Sequence, residues 1–184
     1  MDTVIKLSDY SLKAVKTFVG RDGYGLNANL YKGKKNVATI FDAGDGGEMD
    51  INWVDFKEDK VEITETGFSG EKNTYPGTPE QKILIDLISK EPPQKYGEEY
   101  SKVLGEEYYL TVGTFISDMR DEYENVKKIK SCCRKNVCFR LKSTDENTFV
   151  SYKGDYSPAE KKYLEEEYGD DLLEIYNERF TKKK

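Results

Sequence analysis

From Ala14 to Thr66 the chain alternates apolar and polar positions with a period of two. The sets Val15, Thr17 and Val19, then Leu26, Ala28 and Leu30, then Val37, Thr39 and Phe41, then Met49, Ile51 and Trp53, then Val61 and Ile63 each fall on one face. This pattern predicts about five short antiparallel strands. The glycines of "GRDGYG", of "YKGKKN" and of "DAGDGGE" stand between them, where a residue free to adopt positive φ is needed. The first part therefore reads as a β-meander whose second hairpin has a basic tip.

After "GEKNTYPGTPEQ" the period changes to that of a helix. Thr78 with Gln81 makes a capping-box pattern, Pro79 suits the first helical position, and Ile83, Leu84, Leu87 and Ile88 form a stripe. Glu91, Pro92 and Pro93 end it, because proline lacks the amide donor. A second helical stripe runs through Tyr108, Val112, Phe115, Met119 and Tyr123. "VCFRLKS" and "TFVSYK" then alternate as a hairpin, and Ser157 to Glu160 repeats the cap signature before a last helical region that Gly169 divides into two short helices. The expected class is α+β, with a β-rich domain over 1–75 and an α+β domain over 76–184.

Composition adds restraint on size. The chain has 184 residues, 36% hydrophobic and 35% charged, with 14 Tyr and 8 Phe to supply buried ring area. No run approaches the roughly 20 apolar residues of a membrane helix, and the start has no long apolar segment. A cytoplasmic protein is expected. Three cysteines, Cys132, Cys133 and Cys138, make a poor disulfide framework and a poor zinc site, and read as packing residues.

The net charge of −6 is unevenly spread. Residues 1–41 carry +4, residues 42–124 carry −13, residues 125–142 carry +7 and residues 143–184 carry −4. Two basic islands flank an acidic middle, a pattern that can attract a polyanion to one surface and a basic partner to another. Glu58, Asp59 and Glu62 lie in that acidic middle.

Histidine is absent, which excludes Ser-His-Asp and Cys-His nucleophilic systems in this chain and histidine acid/base pairs. Any catalysis would use carboxylates, lysine, arginine, tyrosine or a hard metal ion. Asp42, Asp45, Glu48 and Asp50 form a dense carboxylate group at a strand end, the donor type that suits Mg²⁺; an acidic turn that holds no ion is the alternative. Lys32, Lys34 and Lys35 at the hairpin tip, with Tyr24, Tyr31 and Arg21 nearby in sequence, combine cations for phosphates with rings for unstacked bases. A solvated turn is the alternative there. Lys127, Lys128, Lys130, Arg134 and Lys135 form a second basic surface.

The wording "KTFVGRDGYGLNANLYKGKKNVATIFDAGDGG" resembles the type II-A anti-CRISPR proteins of mobile elements, most strongly over Leu12 to Trp53. The resemblance implies inhibition of the RNA-guided type II CRISPR effector nuclease, with guide RNA truncation that requires the effector. It also implies that an N-terminal β-hairpin, here Gly25 to Phe41, matters for this effect. A non-catalytic inhibitor that blocks guide loading or target binding is the other reading.

Overall fold

The computed structural model describes residues 5–54, 57, 59–96, 101, 106–145 and 148–180. The fold is α+β and opens with a four-stranded antiparallel meander in the order β1-β2-β3-β4, formed by Tyr10–Val19, Tyr24–Lys32, Lys35–Asp42 and Asp50–Trp53. Two two-stranded antiparallel pairs follow: the hairpin of β5 (Val61–Thr66) with β6 (Lys72–Gly77), and β7 (Gln94–Lys95) with β8 (Glu107–Tyr108). Helix α1 spans Pro79–Ile88 and helix α2 spans Val112–Cys132. The three-stranded sheet β10-β9-β11 uses Asn136–Leu141 (β9), Val150–Lys153 (β10) and Leu172–Ile175 (β11), with α3 over Pro158–Tyr168 and α4 over Tyr176–Phe180.

The chain divides into two compact units, Met1–Arg120 and Asp121–Lys184. The boundary expected near Tyr75 falls inside the first of these. The reason is packing: Leu84, Ile85 and Ile88 of α1 and Ile116 of α2 share one core with Leu26, Leu30 and Ile40 of the meander. The second unit has its own cores around Phe139 and Leu164 and around Ile129, Cys133, Cys138 and Tyr176.

Alternation in β1 and β2 follows the expected parity, but two β-bulges alter the sheet. Lys13 pairs with Asn29 and Lys16 with Asn27, so Ala14 and Val15 together face Ala28. Ala14 takes φ +53, a left-handed conformation that a residue with a Cβ adopts at a cost of about 1–2 kcal/mol. In β3, Leu30 pairs with Ala38 but Tyr31 pairs with Asn36, which leaves Val37 as the extra residue. The bulge flips parity beyond it. Val37, Ala38 and Ile40 are therefore buried, while Thr39 and Phe41, expected to share a face with Val37, point outward.

Three further expectations change on the structure. "GEKNTYPG" supplies a further strand, β6, beyond the five expected up to Thr66, Tyr108 lies in β8 so that the long helix begins at Val112, and Leu172–Ile175 is a strand paired to β9 rather than part of a second short helix. Both helix N-caps occur as expected: Thr78 Oγ1 accepts from the Gln81 amide at 3.1 Å and Ser157 Oγ from the Glu160 amide at 3.3 Å. The side chains that would complete each capping box turn instead to a tyrosine of the preceding strand. Gln81 donates to Tyr75 at 3.2 Å, and Glu160 accepts from Tyr152 at 2.5 Å.

In the second unit, buried Asn177 accepts from the Cys138 amide at 2.7 Å and donates to the Cys133 and Asn136 carbonyls. All three cysteines are free thiols, and burial pushes those of Cys133 and Cys138 above their ordinary range. That fits packing residues rather than nucleophiles.

Candidate nucleic-acid interface

The β2–β3 turn is built by two residues, Gly33 and Lys34, between the paired Lys32 and Lys35. Gly33 takes φ +58, as the first central position of a type II′ hairpin turn requires. The cations of this tip do not act alike. Lys32 lies on the inward parity opposite Tyr10, and its Nζ reaches Glu80 at 2.5 Å to Oε1 and 2.6 Å to Oε2. Tyr10 donates to the same Glu80 Oε1 at 2.9 Å. Glu80 is 8% exposed, so this Tyr10–Glu80–Lys32 group is a buried fastening of α1 to the sheet. Burial, then the hydrogen bond to Glu80, raises the Tyr10 phenol well above its usual range. Lys34 and Lys35 are exposed at the tip.

Tyr31 lies beside the tip, with Lys13 Nζ 4.0 Å from its ring centre. Tyr24 does not. It begins β2 at the opposite end, eight residues and about 26 Å from Lys32 along the strand. Arg21 sits at that far end as well, exposed and paired with Asp22 at 3.0 Å. The set Arg21, Tyr24, Tyr31, Lys32, Lys34 and Lys35 is thus split between the two ends of the hairpin.

The acidic loop after β3 has a structural task. Asp42 Oδ1 accepts from the Gly44 amide at 2.8 Å and Asp45 Oδ1 from the Gly47 amide at 3.0 Å, so both carboxylates close local turns. Asp42 Oδ2 also lies 3.8 Å from Arg120 Nη1. The loop backbone packs directly on the β1–β2 turn: the Asp22 amide donates to the Gly44 carbonyl at 2.9 Å, and a Cβ on Gly20 would stand 2.3 Å from that oxygen. Only glycine fits there. Glu48 and Asp50 are exposed, with Asp50 on the outer face of the sheet opposite Phe41. Among the described residues no three His, Cys, Asp or Glu side chains gather so as to hold a metal ion. Asp42, Asp45, Glu48 and Asp50 are therefore not gathered into one such group, and Asp42 and Asp45 serve as the caps of their own turns.

A cleft of about 1030 Å³ in the first unit is lined by Asp42, Glu48, Glu65 and Glu71 together with Trp53 and Tyr75. Its carboxylates oppose entry of a polyanion. Asp59 and Glu62 are exposed, and Glu58 lies outside the described residues.

In the second unit Lys127, Lys128, Lys130, Arg134 and Lys135 are all exposed, at the end of α2 and in the turn that follows. Lys127 pairs with Glu124 at 3.0 Å and Lys130 lies over the Phe180 ring at 5.2 Å. Cations are favoured beside the carbonyl end of a helix, and Asn136 caps the Cys132 carbonyl there at 3.1 Å. Five exposed cations in nine residues can neutralise phosphates.

The pairing register also assembles a surface that sequence reading missed. Residues opposite each other in an antiparallel sheet share a face, so the outer face carries Lys13 with Asn29 and Thr39, Lys16 with Asn27 and Phe41, Phe18 with Gly25, and Tyr31 with Asn36. Phe18 and Phe41 are 39% and 44% exposed and stack with ring centres 6.3 Å apart. The polar positions of "LKAVKTF" and "LNANLY" held the signal, but it became legible only once the bulges fixed parity. No family model, no curated protein and no solved structure matches this chain.

Proposed function

We propose that this protein inhibits an RNA-guided type II CRISPR effector nuclease, in the cytoplasm of a bacterial host, by engaging its guide RNA. The observation that carries the reading is the cationic end of α2, where Lys127, Lys128, Lys130, Arg134 and Lys135 are exposed together and residues 125–142 contain no acid. Such a cluster binds phosphates, and the N-terminal resemblance to anti-CRISPR proteins supplies the RNA. The acidic middle of the chain would meet the basic channel in which such an effector holds its guide.

Effector-dependent truncation of the guide is the outcome that the resemblance implies. A second reading, inhibition by blocking guide loading without a broken bond, is favoured by one observation. Asp42 and Asp45 are held by amides of their own loop, so they do not converge on a reacting phosphate.

Labelled guide RNA incubated with the protein, with and without effector, tests both. A shortened guide that needs effector and protein together supports truncation, and an intact guide left unloaded supports blocking. Full effector activity in the presence of excess protein would sink the proposal.

A further inference from the structure

The outer face of β1–β3 is unusual for a sheet that has its other face in a core. Asparagine is disfavoured in strands, yet Asn27, Asn29, Asn36 and Asn52 all lie on this face. Asn36 holds its Oδ1 away from water with no hydrogen-bond partner among the described residues. Two phenylalanines remain partly open to solvent on a surface that could have carried threonine or lysine at no cost to the core.

We propose that this face is a platform for an unpaired polynucleotide strand. It rests on the reading of the protein as one that engages guide RNA, and names the part of the guide concerned: a single-stranded segment rather than a stem. Phe18 and Phe41 offer ring surfaces on which bases stack, a contact available to unstacked bases but not to those inside a duplex. Asn27 and Asn29 present amides, which donate to and accept from base edges. Lys13 and Lys16 lie along β1, on the same face, for the phosphates. Asp50 sits at the opposite, β4 side, so the charge gradient directs the strand over β1, β2 and β3. From the Tyr31 row to the Gly25 row the face runs about 20 Å, room for several nucleotides. The exposed lysines of the β2–β3 turn would then border the platform instead of forming the site.

The test uses the full chain and fluorescence anisotropy of a labelled oligouridylate of about eight nucleotides, with an RNA duplex of equal length as the other arm. The oligomer should bind at least tenfold more tightly than the duplex. Phe18→Leu, which keeps apolar cover over Gly25, and Phe41→Leu remove the ring faces, and each should weaken binding by about fivefold or more. Lys13→Ala with Lys16→Ala should lower the salt slope by about 1.4. If the leucine variants fail to fold by circular dichroism, exposed Asn27→Asp takes their place, and its added negative charge should weaken binding. Unchanged oligomer binding by the folded variants, or preference for the duplex, overturns the platform. Oligomer binding that maps to this face in a protein unable to inhibit the effector instead sinks the guide RNA reading and leaves the platform standing.

Discussion

The two faces of the N-terminal sheet differ by one residue step along the same strands. Leu26, Leu30, Ala38 and Ile40 on the inner face are 2% exposed or less, while Lys16, Asn27, Thr39 and Phe41 on the outer face are open to solvent. The inner face supplies stability through apolar area removed from water, and the outer face is free to carry chemistry. With the outer face proposed as the binding platform, stability and recognition are separated by strand parity, so that variants on one face should leave the other property almost untouched.

The largest contrast lies between neighbours in β2. Leu30→Ala should cost about 2–5 kcal/mol in a urea titration, and Asn29→Ala no more than about 0.5 kcal/mol. Similar losses for both would mean that the outer face is packed in solution and that the division fails.

Lysines of the basic turn sharpen the same point. Lys32→Ala leaves Glu80 buried beside Tyr10 without its cation and should cost about 2 kcal/mol. That is below the roughly 3–5 kcal/mol of a fully buried pair because Lys32 keeps some solvent contact. Lys34→Ala should change stability by less than about 0.5 kcal/mol. Equal effects in the urea titration would return Lys32 to the exposed tip.

A smaller, pH-dependent loss should follow from the inward tyrosines. Burial and the carboxylate partners Glu80 and Glu65 raise the phenols of Tyr10 and Tyr75 in the folded state. A raised folded value means that the unfolded chain releases these protons first, so the stabilisation is complete below pH of about 10 and falls above it. Each phenol should contribute a loss of up to about 1.4 kcal/mol per pH unit there. Urea midpoints that stay level from pH 9 to 11 would contradict the burial of both hydroxyls.

The smallest effect is a gain at the β1 bulge. Ala14→Gly removes the left-handed strain at φ +53 and should stabilise by about 0.5–1 kcal/mol, after the greater chain entropy of glycine is subtracted. A loss in thermal unfolding would show that the bulge, and with it the outward placing of Lys16, is relaxed in solution.

How much of this could be read in advance depends on the range of the interaction. The strands of the meander, the α1 and α3 caps and the β9–β10 hairpin follow from patterns a few residues long, and they were legible. The face of Phe41 was not, because the bulge at Val37 is a property of the β2–β3 pairing and leaves no trace in the local alternation. Lys32 looked like an exposed turn cation because its partner, Glu80, lies 48 residues away. The "LLEI" segment reads equally well as helix or strand until β9 offers it an edge. The candidate site suffered most, since rings and cations on three strands come together only through register.

The most direct test of the central claim is photocrosslinking of the full chain to a 4-thiouridine-labelled single-stranded RNA, with the attached peptides identified by mass spectrometry. Crosslinks should fall on Phe18, Tyr31 and Phe41, on the outer face of β1–β3, and be competed away by unlabelled single strand. Crosslinks confined to the Lys34–Lys35 turn or to other elements, with none on those three rings, would contradict that claim.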